Sequence, residues 1–316
     1  MEVGHTYRPP FPLVNGHIET IYPAIFRRVK LAPFQRERIK TPDNDFLDLD
    51  WLTQGSDRLV IISHGLEGNS QRAYMKGMAR AFYLEGYDAL TWNYRGCSDE
   101  MNHQLRFYHS GATDDLDLVV NHAIKKYKSV FMVGFSLGGN LTLKYLGETT
   151  PPAVAGAAVF SVPLNLKTSC EKISEPANFL YANRFLVSLK KKIVTKSKLM
   201  PGLDTTNIDE LFTLYDFDDR YTAPIHGFRD ATSYYEACSS IYFLKDIKVP
   251  TLVVNALNDP FLSVDCFPEN VGNPNVHLEY SDRGGHVGFA LFNQNGLYWS
   301  EWRAVEFARR VHAKTP

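Results

Sequence analysis

From about residue 36 onward, short apolar and β-branched runs alternate with helix-length amphipathic segments. That rhythm predicts an α/β fold, a mostly parallel sheet wrapped by helices. Eight strands are readable, over Arg36–Lys40, Phe46–Trp51, Leu59–Ser63, Asp88–Trp92, Ser129–Gly134, Ala155–Ser161, Thr251–Ala256 and Val276–Tyr280. The first two alternate polar and apolar residues, as a half-solvated antiparallel hairpin would. By contrast, Val60-Ile61-Ile62 and Val130-Phe131-Met132-Val133 are unbroken apolar runs suited to buried central strands. Helices are predicted over Gln71–Tyr83, Asp114–Lys126, Gly139–Gly147 and Tyr298–His312.

One stretch breaks the rhythm. No strand is readable between Leu164 and Val249, while Phe179, Ala182, Leu186, Leu189 and Ile193 recur at helical spacing. The expected organisation is a single domain over residues 1–316, with a helical cap inserted at about 164–249.

The strand ending at Gly134 leads into Gly134-Phe135-Ser136-Leu137-Gly138-Gly139, a G-x-S-x-G sequence between a strand and a helix. Such a placement predicts the nucleophile elbow of an α/β-hydrolase sheet. Gly134 and Gly138 would let the chain turn sharply and expose Ser136. A serine hydroxyl is a weak nucleophile at neutral pH, so it needs a base and a carboxylate to orient that base. In this architecture they follow the last strands, in the order acid then histidine. Asp259 lies just after the seventh strand, and His286 sits among glycines after the eighth. Asp265 lies further from its strand end, and Asp282 reads as a holder of the histidine loop. Of the other histidines, His277 falls within a strand, and His5, His17 and His312 lie near the termini. The expected oxyanion donors are the backbone N–H groups of Leu66 and Leu137, with His64 and Gly65 supporting the first loop.

Charge and cysteine content narrow the partners. Thirty-four Lys and Arg against 35 Asp and Glu give no broad field for a polyanion, so nucleic acid is not expected. Cys97, Cys170, Cys238 and Cys266 form no C-x-x-C pair, and the first residues lack a positive start followed by an apolar run; both point to a reducing cytoplasm. No apolar stretch approaches the roughly 20 residues that span a bilayer. Metal and organic cofactors are not expected. Lys190, Lys191, Lys192, Lys196 and Lys198 read as a solvated face, or as a site of transient contact between the cap and an anionic lipid surface. Arg95 is expected to pin a loop through an ion pair. His109 and Asp114 match an H-x-x-x-x-D spacing, although Thr113-Asp114-Asp115 reads more simply as a capped helix start.

Asn15-Gly16-His17-Ile18-Glu19-Thr20-Ile21-Tyr22-Pro23, His64-Gly65-Leu66-Glu67-Gly68, Asn93-Tyr94-Arg95-Gly96-Cys97-Ser98, Tyr108-His109-Ser110-Gly111, Gly134 to Asn140 and Ala223-Pro224-Ile225-His226-Gly227-Phe228 together resemble the YheT-like, or AB hydrolase 4, family. That resemblance covers nearly the whole chain. It implies esterase or lipase chemistry with Ser136, Asp259 and His286 as the triad. Asn258-Asp259-Pro260 stands where the family often has two aspartates, leaving one carboxylate. Larger animal relatives carry an N-terminal membrane anchor; none is expected here, so the likeness is expected to be closer to the bacterial members. The expected substrate is a short- or medium-chain acyl ester or a lipid-like ester, its acyl group lined by Phe135, Phe179, Leu180, Tyr181, Phe185 and Phe228. Acyl transfer through the same acyl-enzyme, or a non-catalytic binding protein on the same scaffold, are the alternatives. Acyl length, head group and oligomeric state depend on a cap shape that pattern does not encode.

Overall fold

A computed structural model describes residues 7–313, so His5 lies outside the described residues. Its strands are β1 (Gln35–Lys40), β2 (Phe46–Leu52), β3 (Arg58–Ser63), β4 (Asp88–Asn93), β5 (Ser129–Phe135), β6 (Val154–Phe160), β7 (Thr251–Ala256) and β8 (Val276–Ser281). They form one sheet in the order β1-β2-β4-β3-β5-β6-β7-β8. β2 runs antiparallel to both neighbours, and every other pairing is parallel. Both ends of every strand fall within one residue of the pattern reading.

Alternate side chains of each central strand serve opposite layers. Ile61, Val130, Met132 and Val159 pack under α3 (Thr113–Ala123) and α4 (Leu137–Glu148). Val60, Ile62, Phe131 and Val133 pack under α2 (Ala73–Leu84) and α10 (Trp299–Ala313). Two covered faces explain why the central strands are apolar throughout.

β2 departs from the half-solvated expectation, because all seven of its residues are buried. Its polar positions carry ion pairs instead. Asp48 accepts from Arg38 and Asp50 from Arg36, each with an N–O distance of 2.8 Å. Arg95 pins its loop as expected, to Asp115, Asp43 and Asp45. α3 begins at Thr113 with no side-chain cap; the Thr113 hydroxyl donates to Glu148 instead.

An unanticipated helix, α1 (Gly16–Phe26), precedes the sheet, and its Asn15 cap accepts from the Ile18 N–H at 2.9 Å. Inverted polarity hides it from a pattern reading. Glu19 and Pro23 are buried, while Ile18, Ile21, Ile25 and Phe26 face outward.

Between β6 and β7 the chain forms only helices: α5 (Leu166–Ile173), α6 (Phe179–Ser197) and the shorter α7 (Leu214–Phe217), α8 (Ala223–Ile225) and α9 (Ala231–Cys238). Ala182, Leu186, Leu189 and Ile193 are the buried stripe of α6, whereas Phe179 is exposed. Two of the five lysines contradict a solvated face. Lys196 is buried, with its ammonium donating to Asn102 Oδ1 at 2.7 Å and to the carbonyls of Leu105 and Arg106. Lys192 pairs with Glu67 at 2.6 Å.

Candidate active site

β5 ends against a backbone that few residues adopt. Ser136 has φ 53° and ψ −121°, and α4 starts at the next residue. The neighbouring glycines leave no room for a side chain. A Cβ on Gly138 would fall on the carbonyl oxygens of Ser63 and His64, and one on Gly134 would fall on the carbonyl of Gly138. Gly138→Ala is therefore expected to destabilise the fold by about 1–3 kcal/mol, the usual range for overpacking. Urea unfolding measures it, and an unchanged midpoint would show that the turn can yield.

His286 reaches Ser136 with Nε2, 2.9 Å from Oγ. On its other side Nδ1 lies 2.8 and 3.1 Å from the two Asp259 carboxylate oxygens. Asp259 is buried, and it also accepts the Phe261 N–H at 2.9 Å. A carboxylate accepts only, so it holds the proton on Nδ1 and leaves Nε2 as a lone pair facing the serine hydroxyl. The Phe261 ring covers the imidazole, with centroids 4.2 Å apart.

The histidine loop rests on α1. Glu19 accepts from the Gly284 N–H, from Asn258 Nδ2 and from Arg283 Nε, each at 2.8 Å. Thr20 Oγ1 accepts the His286 N–H at 2.8 Å, and Ser161 Oγ accepts the Val287 N–H at the same distance. The inward polar face of the inverted helix thus supplies the seat.

Leu66 and Leu137 both border Ser136, and their N–H groups have no acceptor among the described residues. His64 braces the first of these loops. It is fully buried, and burial lowers it to about 3, so the ring is neutral. Its Nδ1–H donates to the Gly65 carbonyl at 2.8 Å and its Nε2 accepts the Tyr94 N–H. Glu67, at φ 52°, closes the loop. Tyr108 donates to it at 2.8 Å, and Ser188 and Lys192 of α6 also reach its carboxylate.

Two cavities meet at Ser136. One, of about 850 Å³, runs under the insertion between Leu166, Ile173, Leu189, Leu214 and Tyr235. The other, of about 1260 Å³, opens between α1 and the first turns of α6. Leu66, Phe185, Phe261 and His286 line both.

A family model described as serine aminopeptidase, S33, matches residues 54–287. YheT of Escherichia coli (strain K12), named as a candidate esterase, is 34% identical over 288 residues, covering 87% of this chain and 84% of that protein. The chain belongs to this family of α/β hydrolases. Phospholipase ABHD3 of Bos taurus is 29% identical over 303 residues, covering 91% of this chain and 74% of that one. The Pyrococcus furiosus esterase Pf2001 shares the fold, with a TM-score of 0.58 at 20% identity over 88% of this chain and 92% of that one.

Within this α/β hydrolase, the expected lining is only partly where pattern placed it. Phe185 borders both cavities and Tyr181 the second. Phe135 instead points into the sheet core beneath Tyr74 and Phe160, because it is the last residue of β5 and faces away from the serine. Phe179 and Leu180 are solvent-exposed on the outer side of α6. Phe228 packs inside the insertion against His109 and Tyr234 rather than on a cavity wall. Asp265 and Asp282 are exposed. Asp114 pairs with Arg106, and His109 receives the Gly111 N–H, so these two are not bonded to each other.

Sequence reasoning missed Glu19, Thr20 and Asn258, although the first two lie in a quoted motif, and it missed Asp218. That carboxyl borders the first cavity and accepts from Tyr235 OH at 2.7 Å and from Thr222 Oγ1 at 2.5 Å. Burial raises it to about 6, against the lowering effect of those two hydroxyls. No group of three or more His, Cys, Asp or Glu side chains converges as a metal site among the described residues, and no helix there is long and apolar enough to cross a membrane.

Proposed function

We propose that this chain hydrolyses carboxylic esters through Ser136, His286 and Asp259, with the helices between β6 and β7 acting as a cap on one domain. The observation that carries the reading is the unbroken hydrogen-bond chain from Asp259 to Ser136, placed where two cavities meet. Ser136 Oγ attacks the acyl carbonyl carbon as its proton passes to His286 Nε2. The Leu66 and Leu137 N–H groups hold the resulting oxyanion. His286 then gives the proton to the leaving alcohol, and a water deprotonated by the same nitrogen attacks the acyl-serine and releases the acid.

Cavity chemistry favours an ester over a peptide N-terminus. The first cavity is largely walled by aliphatic and aromatic side chains, which suit an acyl chain. Glu67 in the second is already paired with Lys192, and Asp218 in the first is taken up by two hydroxyl donors, so neither is a free partner for an ammonium group. Relatives named as an esterase and a phospholipase point the same way.

Asp218 gives the acyl cavity a pH dependence. Below about pH 6 its carboxyl is neutral and above that value it is charged. A charge in an apolar cavity opposes binding of an apolar chain. The KM for a medium-chain ester is therefore expected to rise as pH passes upward through that value. Asp218→Asn should flatten the rise, and parallel profiles in wild type and variant would remove Asp218 from chain binding.

The deciding experiment is intact-mass labelling with a fluorophosphonate probe alongside p-nitrophenyl ester turnover. One adduct, absent from Ser136→Ala, together with turnover is the expected result. Labelling elsewhere, or turnover without labelling, would defeat the reading.

A further inference from the structure

We infer that the outward face of α1 is a docking surface for an anionic lipid layer, which would deliver an ester from the layer directly into the second cavity. The inference rests on the ester reading for its substrate and on three observations for its surface.

First, the polarity of the helix is inverted. Ile18, Ile21, Ile25 and Phe26 are between 38% and 62% exposed, while Glu19 points inward to hold the histidine loop. The patch continues sideways, because Tyr22 packs against both Phe26 and the half-exposed Phe292. A cluster of this kind differs from the scattered apolar residues of an ordinary surface. Second, the face is continuous with the route to the nucleophile. Ile21, Ala24 and Ile25 line the cavity of about 1260 Å³ whose far end is Ser136 and His286. Third, the exposed charged side chains lining this cavity, Arg72 and Arg184, share one sign. Arg184 faces α1 across the opening and has no partner among the described residues. Arg28, just beyond the helix, meets only the backbone carbonyls of Ile25 and Arg27 among the described residues. Arg72 gives one donor to the Glu67 carbonyl on the same cavity wall. Glu67, the carboxylate on the cavity wall, and Glu19 of α1 are buried and engaged.

An apolar face bordered by arginines fits acyl chains below a layer of phosphate headgroups. A second copy of the chain fits less well, since a twofold contact would set cations against cations. Lys192 and Lys196 of α6 do not contribute to this surface, because they point inward.

The test is flotation of the full chain with phosphatidylcholine vesicles, with and without phosphatidylglycerol. The comparison variant carries Ile18→Ser with Phe26→Ser, both away from the cavity wall. Wild type is expected to float with the anionic vesicles and to be released by high salt. The variant should bind at least about tenfold more weakly, the effect of withdrawing even one buried large apolar side chain, while its turnover of a water-soluble ester stays at the wild-type level. Equal flotation of the two, or no flotation of a wild type that turns over soluble ester, overturns the inference. Self-association lost in the variant, without vesicle binding by either, reassigns the face to a second copy. Salt-sensitive flotation with no ester turnover would retain the surface and remove the ester reading instead.

Discussion

Ser136→Ala is expected to lower kcat for a p-nitrophenyl ester by about 10⁴- to 10⁶-fold with KM little changed. The hydroxyl is the only atom removed, and it contributes to the bond that forms rather than to holding the ester beforehand. The elbow backbone, which gives Ser136 φ 53°, is set by Gly134 and Gly138 packing against neighbouring carbonyls and does not need the hydroxyl. The variant should therefore fold, and the loss should appear in turnover alone. Stopped-flow and steady-state rates on the same preparation separate the two. Full activity in the variant would leave Ser136 as a turn residue and assign the turnover to a different nucleophile.

The second large effect is expected from Asp259→Asn, about 10⁴-fold in kcat. Asparagine has nearly the same shape, so packing beneath Phe261 is kept. Its carboxamide can donate, however, and the site offers His286 Nδ1, which lies 2.8 Å from Asp259 Oδ2. An N–H placed there turns Nδ1 into the acceptor and moves the ring proton to Nε2. The nitrogen facing Ser136 Oγ would then donate rather than accept, and the base is lost without any change in stability. A variant that keeps more than a tenth of the wild-type rate would mean that the histidine is oriented chiefly by the contacts of its backbone with Thr20.

Legibility in the chain follows from how local each determinant is. β3 and β5 are legible because Val60-Ile61-Ile62 and Val130 to Val133 can be buried on both faces only in a central strand. Ser136, Asp259 and His286 are legible as a set because strand ends fix the order in which side chains reach one edge of the sheet, and the structure brings the three together there. α1 is not legible, because pattern reading assumes that apolar residues face inward, and here Glu19 and Thr20 do so. Asp48 and Asp50 misled in the same way, since their burial depends on arginines contributed by the adjacent strand. The cavity lining failed most often. Phe179 and Leu180 lie one turn or less from Tyr181 on α6, but which side of a helix meets Ser136 depends on how the insertion settles on the sheet, a property of packing rather than of spacing.

The seat of the histidine loop has a consequence for where this chain can be cut. The family match begins at residue 54, after α1 and the first two strands, yet Glu19 and Thr20 reach across more than 260 residues to hold Gly284 and His286. A fragment trimmed to the matched boundary would keep Ser136, Asp259 and His286 in its sequence and lose the scaffold that holds His286 against Ser136. For this chain the smallest working piece is larger than the smallest recognisable one.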